Sequence, residues 1–248
     1  MAHAGKGTSR VRIIAHRGAS AVAPESTAAA IREAVRAGAD MVELDVQMTR
    51  DGRLVVFHDD RLERTTTGKG RVGTARYAEL RLLDAGRWFH PRFAGQRVLL
   101  VSQALRLIPR RMRVNLELKR TRHRQALLSR LRRLMRRAGM GPRVLVSSFD
   151  PALLAPLART RLPRALICRR RPEPSLRAAI RLGCKSWHPF HALATPRRVA
   201  LAHRAGLRVQ AWTVEEAALA RRLRRAGVDG LFTNDPARLR RALAARPG

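Results

Sequence analysis

The sequence predicts a (β/α)8 barrel, the TIM-barrel class of α/β fold. The chain has 248 residues, 45% of them hydrophobic, which is enough apolar material for one core of barrel size. From Val11 onward, short apolar runs alternate with longer amphipathic stretches, as expected of repeated βα units around a parallel sheet. Eight such runs can be placed, which is the number of strands in the closed barrel.

The predicted strands are short runs rich in β-branched and other apolar residues, and they lie at 11–15, 41–46, 114–118, 144–148, 165–168, 185–188, 209–213 and 230–233. Helical patterns lie between them, near 25–38, 122–138, 151–159, 174–182, 196–205, 215–226 and 236–245. Several of these patterns end in Ala-Gly or Leu-Gly, as helices commonly do. We therefore predict an N-terminal tail at residues 1–10 and one domain over residues 11–248.

Two features interrupt the alternation after the second strand. Asp51 and Gly52 separate two β-type runs, which is a strong hairpin signal. If these two residues are the central turn pair, Asp45 lies opposite His58. Residues from about 60 to 100 are irregular and hold four aromatic side chains, so we predict an insertion that covers the active-site face of the barrel. A helix over residues 102–108 then rejoins the barrel.

The formal charge of +34 is the most unusual bulk property. Arginine supplies 48 of the 52 cationic residues and is spread over nearly every predicted helix. Two interpretations remain open at this point: a chain-wide bias toward arginine, or a functional surface for phosphates, anionic lipid headgroups or nucleic acid. Aromatic residues make up only 4% of the chain, too few for an RNA-stacking face, so specific nucleic-acid binding is not expected.

The chain shows no targeting or membrane-spanning signal. The apolar run near its N-terminus is short and contains Arg12, so it fits neither a signal-peptide core nor a transmembrane segment. We expect a cytoplasmic protein, whose positive charge allows weak association with an anionic membrane surface. The two cysteines, Cys168 and Cys184, lack CxxC spacing, which predicts neither a disulfide framework nor a zinc site.

Three carboxylates lie at the C-terminal ends of two predicted strands, where barrel enzymes place reactive groups. Glu43 and Asp45 are separated by one residue, so both side chains point to one face of their strand, and Glu117 ends the next barrel strand. Three carboxylates in one cavity repel each other and require a cation. Hard oxygen ligands suit Mg²⁺ or Ca²⁺, with Mn²⁺ as a further candidate. The alternative is a salt-bridged rim in an arginine-rich chain.

Histidines and cations accompany these carboxylates. The first strand ends in His16 and Arg17, Lys119 follows the third barrel strand, and the predicted hairpin returns His58 to the same mouth. Two histidines near neutral pKa can act as general base and general acid in one reaction. Arg17 and Lys119 provide positive charge for a phosphate group. Which histidine is the base, and whether water or a substrate hydroxyl attacks first, stays open.

Over residues 11–245 the sequence resembles the glycerophosphodiester phosphodiesterase family. The shared motifs are Ala15-His16-Arg17-Gly18, Pro24-Glu25-Ser26-Thr27, Glu43-Leu44-Asp45-Val46, His58-Asp59, Glu117-Leu118-Lys119, Ser148-Phe149, Ala211-Trp212-Thr213-Val214, Gly227-Val228-Asp229-Gly230 and Thr233-Asn234-Asp235-Pro236. Each motif is common alone, whereas the ordered set is highly specific. Departures from the family pattern occur at Ser26, which we expect to cap the following helix, at residues 100–102, at Glu215 and at Thr233-Asn234-Asp235-Pro236.

The resemblance implies metal-dependent hydrolysis of glycerophosphodiesters to glycerol 3-phosphate and an alcohol, a step of glycerophospholipid catabolism. The roles that it implies are metal binding by Glu43, Asp45 and Glu117, acid-base catalysis by His16 and His58, phosphate binding by Arg17 and Lys119, and a substrate-lining place for Glu25, Phe149 and Trp212. Two alternatives stay open. One is a lysophospholipase D-type phosphodiesterase acting at membrane surfaces, and the other is a non-catalytic barrel that binds anions or nucleic acid.

Overall fold

The computed structural model describes residues 10–139 and 143–244. Within these ranges the strands are β1 (Arg12–Ala15), β2 (Met41–Met48), β3 (Leu54–Val56), β4 (Arg113–Leu118), β5 (Val144–Ser148), β6 (Arg164–Cys168), β7 (Ser186–Pro189), β8 (Arg208–Ala211) and β9 (Gly230–Thr233). All except β3 pair in parallel with their neighbours, and β9 and β2 both pair with β1, which closes the barrel. The prediction of a (β/α)8 barrel is confirmed.

The helices of the described residues are α1 (Ala28–Arg36), α2 (Tyr77–Leu80), α3 (Val101–Leu107), α4 (Arg124–Ala138), α5 (Pro151–Leu154), α6 (Pro172–Arg181), α7 (Pro196–Arg204), α8 (Ala217–Arg225) and α9 (Pro236–Ala244). Most lie within a few residues of the predicted bounds. The pattern at 151–159 forms only the short α5, followed by a 3-10 turn. The predicted tail, apart from Arg10, and the end of the last helical pattern lie outside the described residues.

The first helix has a different cap from the predicted one. Thr27 Oγ1, and not the Ser26 side chain, accepts from the Ala30 N–H at 3.4 Å. Ser26 itself adopts φ 63°, a left-handed conformation that asparagine tolerates well. The expectation that Ser26 caps the helix is therefore wrong, since its backbone makes the turn that lets the next residue do so.

Strand alternation separates the barrel interior from the layer beneath the helices. On β2, Leu44 and Val46 are fully buried in the main hydrophobic cluster between sheet and helices, while Glu43 and Asp45 alternate with them. Each such aliphatic side chain contributes about 1.5–3 kcal/mol by burial. The apolar residues of β2 thus hold the strand against the helices and leave its acidic residues on the opposite face.

The insertion has a small apolar core of its own. We call it the insertion cluster, and its buried members are Val55, Phe57, Leu62, Val72, Leu80, Ala85 and Val98. None of them belongs to the main cluster of the barrel. A single bridge between Val55 of β3 and Leu100 joins the two ends of the insertion. The irregular segment is therefore a packed cover with its own core.

The hairpin register differs from the predicted one by one residue. Val46 pairs with Val56, and the Thr49 N–H donates to the Arg53 carbonyl at 3.0 Å, so the loop has three residues and not two. The Thr49 hydroxyl stabilises this wider loop, because it also accepts from the Arg53 N–H at 2.9 Å. Asp45 consequently lies opposite Phe57, whose N–H donates to the Asp45 carbonyl at 3.0 Å. The predicted pairing of Asp45 with His58 is wrong.

Two further expectations concern the rest of the described chain. Cys168 and Cys184 are both free and buried, as the absence of a disulfide pattern predicts. Within residues 10–139 and 143–244, no helix combines the length and the apolar character that a bilayer crossing requires.

Gly18 makes a close approach that only glycine permits. Its φ is +84°, and a Cβ added there would lie 2.7 Å from the carbonyl carbon of Ala30. We expect Gly18→Ala to lower the free energy of unfolding by about 3 kcal/mol, because strain and backbone overlap add. Gly95 has a similar φ of +88° with no described atom within 4 Å of such a Cβ. Gly95→Ala should therefore lower the free energy of unfolding, measured by urea denaturation, by only about 1 kcal/mol. An equal decrease in the free energy of unfolding for both variants would contradict the importance of the contact between Gly18 and Ala30.

Candidate active site

Three carboxylates converge at the C-terminal mouth of the barrel. The register of β2 and β4 sets Asp45 beside Glu117 and Glu43 beside Asn115. One oxygen from each of Glu43, Asp45 and Glu117 lies within 4.8 Å of the others. Oε1 of Glu43 and Oδ2 of Asp45 are buried and accept no hydrogen bond from the described residues. Bare carboxylate oxygens this close together suit a divalent cation such as Mg²⁺, Ca²⁺ or Mn²⁺.

The crowding perturbs the pKa values of these groups. Burial, with the charges of Asp45 and Glu117, raises the pKa of Glu43 well above its usual value. Burial and Asp45 together raise the pKa of Glu117 to about 7. Asp45 keeps a lowered pKa despite its burial, because Lys119 and His58 lie close to it. The ionised carboxylates of the cluster therefore repel each other, and bound positive charge would relieve this repulsion.

Arg17 and Lys119 flank the carboxylates with positive charge. The backbone N–H of Arg17 donates to Oε2 of Glu43 at 2.9 Å. The guanidinium Nε of Arg17 lies 3.5 Å from Oδ2 of Asp45. Lys119 Nζ lies 3.0 Å from Glu117 Oε1 and 3.2 Å from Asp45 Oδ1. The two cationic side chains are 18% and 23% exposed, so both can also meet an anion that enters the mouth.

His16 is held at the mouth by an amide. Its Nδ1 lies 2.8 Å from Oδ1 of Asn234, which also accepts from the Ser20 hydroxyl at 2.9 Å. The amide oxygen between two donors assigns the ring proton to Nδ1. Burial and the nearby charge of Arg17 lower the pKa of His16 to about 4. Its Nε2 has no hydrogen-bond partner among the described residues and is left for a ligand.

His58 enters the mouth from the loop after β3 and is held by a carboxylate. Its Nδ1 lies 2.5 Å from Oδ1 of Asp59, and again Nε2 is without a partner in the described part of the chain. Burial lowers the pKa of His58, against the opposing effect of Asp45. Despite partial burial, hydrogen bonds from Arg64 and His58 lower the pKa of Asp59 to about 2. Each ring therefore presents its Nε2 to a substrate. The partner of Nδ1 is a neutral amide for His16 and a carboxylate for His58.

Arg64, from the insertion, is a site residue that sequence analysis missed. Its Nε donates to Oδ2 of Asp59 at 2.5 Å, and its two terminal nitrogens donate to both oxygens of Glu25, at 2.7 Å and 3.0 Å. Glu25 in turn accepts from Arg17 at 3.0 Å. Arg64 therefore joins the carboxylate that orients His58 to the one that orients Arg17. Glu25, predicted to line the substrate, is occupied by these two arginines.

We expect Arg64→Ala to lower kcat by about 10–100-fold, as loss of an orienting partner commonly does. With Arg64 absent, Asp59 acts more strongly on His58 and raises its pKa, so the limb of the kcat/KM pH profile that reports His58 should move to higher pH. This is the acidic limb if His58 is the base and the basic limb if it is the acid. Arg64→Lys should restore part of the activity, since lysine keeps the charge but not the fork.

The matched control for this change is Arg61→Ala, because Arg61 pairs at 2.5 Å with Glu63 on the exposed side of the same segment. That variant should keep the parent pH profile. An Arg64→Ala protein with the parent kcat and pH profile would contradict the orienting role.

Phe149 and Trp212 form an aromatic wall beside the site. Phe149 follows β5, Trp212 follows β8, and their rings meet edge to face at 5.7 Å. The Trp212 Nε1 donates to the His188 carbonyl at 2.8 Å, which fixes the indole. Phe149 is 47% exposed. The substrate-lining role of these two rings stays a prediction.

Comparisons with known proteins agree with this geometry. Residues 16–238 match the sequence model of the glycerophosphoryl diester phosphodiesterase family. The chain is 35% identical over 233 residues to a glycerophosphodiester phosphodiesterase of Caldanaerobacter subterraneus subsp. tengcongensis, with 90% of this chain and 94% of that protein covered.

Two solved structures share the architecture. A phosphodiesterase of Oleispira antarctica in complex with the product sn-glycerol-3-phosphate is 29% identical with a TM-score of 0.88, covering 94% of this chain and 97% of that one. A glycerophosphodiester phosphodiesterase of Agrobacterium tumefaciens is 28% identical with a TM-score of 0.81, covering 93% and 99%. The chain therefore belongs to the glycerophosphoryl diester phosphodiesterase family, and the sequence prediction of a phosphoric diester hydrolase is confirmed.

Proposed function

We propose that the chain hydrolyses glycerophosphodiesters to glycerol 3-phosphate and an alcohol, with a divalent metal ion, in glycerophospholipid catabolism. The observation that carries the proposal is the meeting of two histidines, each with Nε2 free of partners among the described residues, and the three-carboxylate cluster at one barrel mouth. The product bound to the Oleispira antarctica relative supports the same chemistry.

Charge at the mouth binds and activates the phosphodiester. Arg17 donates to its non-bridging oxygens through the guanidinium fork, and Lys119 adds a point charge from the other side of Asp45. A cation held by Glu43, Asp45 and Glu117 supplies further neutralisation of the phosphate charge when bound. Together these groups stabilise negative charge on the phosphoryl oxygens, which is the main requirement of phosphoryl transfer.

The two histidines move the protons. At Nε2, one ring accepts the proton of the attacking hydroxyl as the new P–O bond forms. The other ring donates its Nε2 proton to the alcohol oxygen as the P–O bond to that oxygen breaks. Asn234 and Asp59 hold the opposite nitrogens and keep both rings aimed at the phosphate. The attacking group is water, or the substrate's own glycerol hydroxyl with a cyclic phosphate as intermediate.

A coupled assay for glycerol 3-phosphate tests the proposal. Several glycerophosphodiesters are incubated with Mg²⁺, Ca²⁺ or Mn²⁺, or with a chelator in place of metal. We expect metal-dependent release that the chelator abolishes. Release that is unaffected by the chelator would contradict the metal requirement, and no release with any diester and metal would overturn the proposed reaction.

A lysophospholipase D-type activity is the second candidate. Leu82 and Trp88 of the insertion are 68% and 41% exposed, an apolar surface that favours contact with lipid. Hydrolysis of lysolipid faster than of glycerophosphocholine, together with sedimentation on anionic vesicles, would support it over the first. Cytoplasmic location, weak membrane association and the single-domain organisation of residues 11–248 stay predictions from the sequence.

A further inference from the structure

A small pocket opens directly beside the carboxylate cluster. It has a volume of about 350 Å³, and Glu117 and Lys119 form its inner end. Its outer walls include Arg120, Arg124 and Phe149. Because one proposed metal ligand and one proposed phosphate binder line this pocket, a group that fills it is attached to the reacting phosphate or adjacent to it.

The pocket shares two lining residues, Arg120 and Arg124, with a wider cleft of about 1450 Å³. The cleft lies between the β2–β3 hairpin, the insertion and the segment from β4 to α4. Its cationic lining consists of Arg50, Arg71, Arg120, Arg122, Arg124 and Arg130. Its acidic lining is limited to Asp51 and Asp60.

Most of this positive charge is not neutralised by neighbours. Arg71 pairs with Asp60, and Arg124 lies 3.2 Å from Asp150. Within residues 10–139 and 143–244, the other four arginines of the cleft have no carboxylate within 4.0 Å, and all four are exposed. Cations that face a shared cleft repel each other and attract an anion, and guanidinium forks match phosphate and carboxylate groups.

The same charge disfavours a cationic alcohol. An aromatic ring such as Phe149 can bind a quaternary ammonium group. In the same pocket, however, the cations Lys119, Arg120 and Arg124 outnumber the carboxylates Glu117 and Asp150. Arg120, which has no carboxylate within 4.0 Å among the described residues, repels a cationic alcohol, whereas a Phe face attracts it by only about 0.5–1 kcal/mol at an exposed site. The pocket therefore selects by charge and not by aromatic enclosure.

We propose that the pocket and the cleft bind the alcohol side of the diester and select substrates whose alcohol carries additional anionic groups over those whose alcohol is cationic. This proposal rests on the proposed function and specifies its substrate class. The glycerol 3-phosphate half remains against Arg17 and the Trp212 side of the aromatic wall, and the leaving half extends past Phe149 over Lys119 and Arg120 into the cleft.

Three substrates of graded charge test it: glycerophosphocholine, glycerophosphoinositol and glycerophosphoinositol 4-phosphate, whose alcohols are cationic, uncharged and anionic. With the activating metal at low salt, we expect kcat/KM to rise along this series, by roughly tenfold from first to last. The preference should shrink as ionic strength increases, because exposed charges are screened.

A double variant, Arg120→Gln with Arg122→Gln, should bring the ratio of kcat/KM between the anionic and the cationic diester close to one. Arg181→Gln is the matched control, since Arg181 is exposed in the last turn of α6, outside the cleft, and its loss should leave the ratio unchanged. Hydrolysis of all three diesters without charge preference, or an unaltered ratio in the double variant, would overturn the substrate class alone. No hydrolysis of any diester would overturn the proposed function and this inference with it.

Discussion

His16→Ala and His58→Ala are each expected to lower kcat by about 10³-fold, because each removes a ring that we propose to accept or donate a proton at the phosphate. Among the described residues, each ring is hydrogen-bonded through one nitrogen, to Asn234 or to Asp59. We therefore expect folding to survive both changes. Steady-state kinetics with the best glycerophosphodiester, and thermal melts followed by circular dichroism, measure the two effects separately.

His90→Ala is the control for this pair. His90 is an exposed histidine of the insertion whose Nδ1 accepts from the Arg92 N–H at 3.2 Å. It should keep the parent kcat. Turnover near that of the parent in either His16→Ala or His58→Ala would eliminate that residue as a catalytic group.

Glu43→Gln is expected to lower metal-dependent turnover by at least about 10²-fold and, at the same time, to stabilise the metal-free fold. Glutamine keeps the shape of the side chain but cannot ionise, so the variant avoids the cost of protonating or burying a carboxylate beside Asp45 and Glu117. We expect the melting temperature in chelator to rise by several degrees at pH 7. Added Mg²⁺ or Ca²⁺ should stabilise the parent far more than the variant, because the variant lacks one ligand charge.

The pH dependence of the metal-free parent follows from the same cluster. Folding raises the pKa of Glu117 from 4.5 to about 7, so the stability contributed by its protonated form is complete below pH 4.5 and is lost as pH rises toward about 7. Glu43 acts in the same direction. Glu43→Gln should reduce this loss, and bound metal should offset it.

Melting temperatures between pH 5 and 8, with metal and with chelator, test the metal and pH effects together. Glu33→Gln is the control, because Glu33 is a surface residue of α1 that pairs with Arg36 at 2.5 Å. Its loss should leave the pH slope and the metal effect unchanged. Equal stabilisation of the parent and of Glu43→Gln by metal would show that the ion binds elsewhere.

Much of the architecture was predictable because parallel barrel strands are nearly continuous apolar runs. Strict alternation along β2 also placed Glu43 and Asp45 on one face, and the structure brings them to Glu117. Their metal-binding role stays a prediction. The hairpin was harder, since Asp-Gly suggests a two-residue turn and only the side chain of Thr49 reveals the wider loop. His58 was thus expected at the mouth from a wrong register and reaches it through the following loop.

The role of Arg64 could not be predicted from the sequence. In a chain with 48 arginines, no local pattern distinguishes the one that bridges two carboxylates from those that face solvent. Its partners Glu25 and Asp59 are far apart in the chain from one another, and their meeting depends on how the insertion packs. The position of Asn234, directly after β9, did carry a signal, because polar residues at that end of a barrel strand face the site.

The separate core of the insertion affects the thermal inactivation of the protein. An element that packs on its own small cluster can open as a unit while the larger barrel persists. His58 and Arg64 lie at the start of that element and depend on it for their position. We therefore expect turnover to be lost below the temperature at which the barrel melts, because opening of the insertion alone displaces His58 and Arg64.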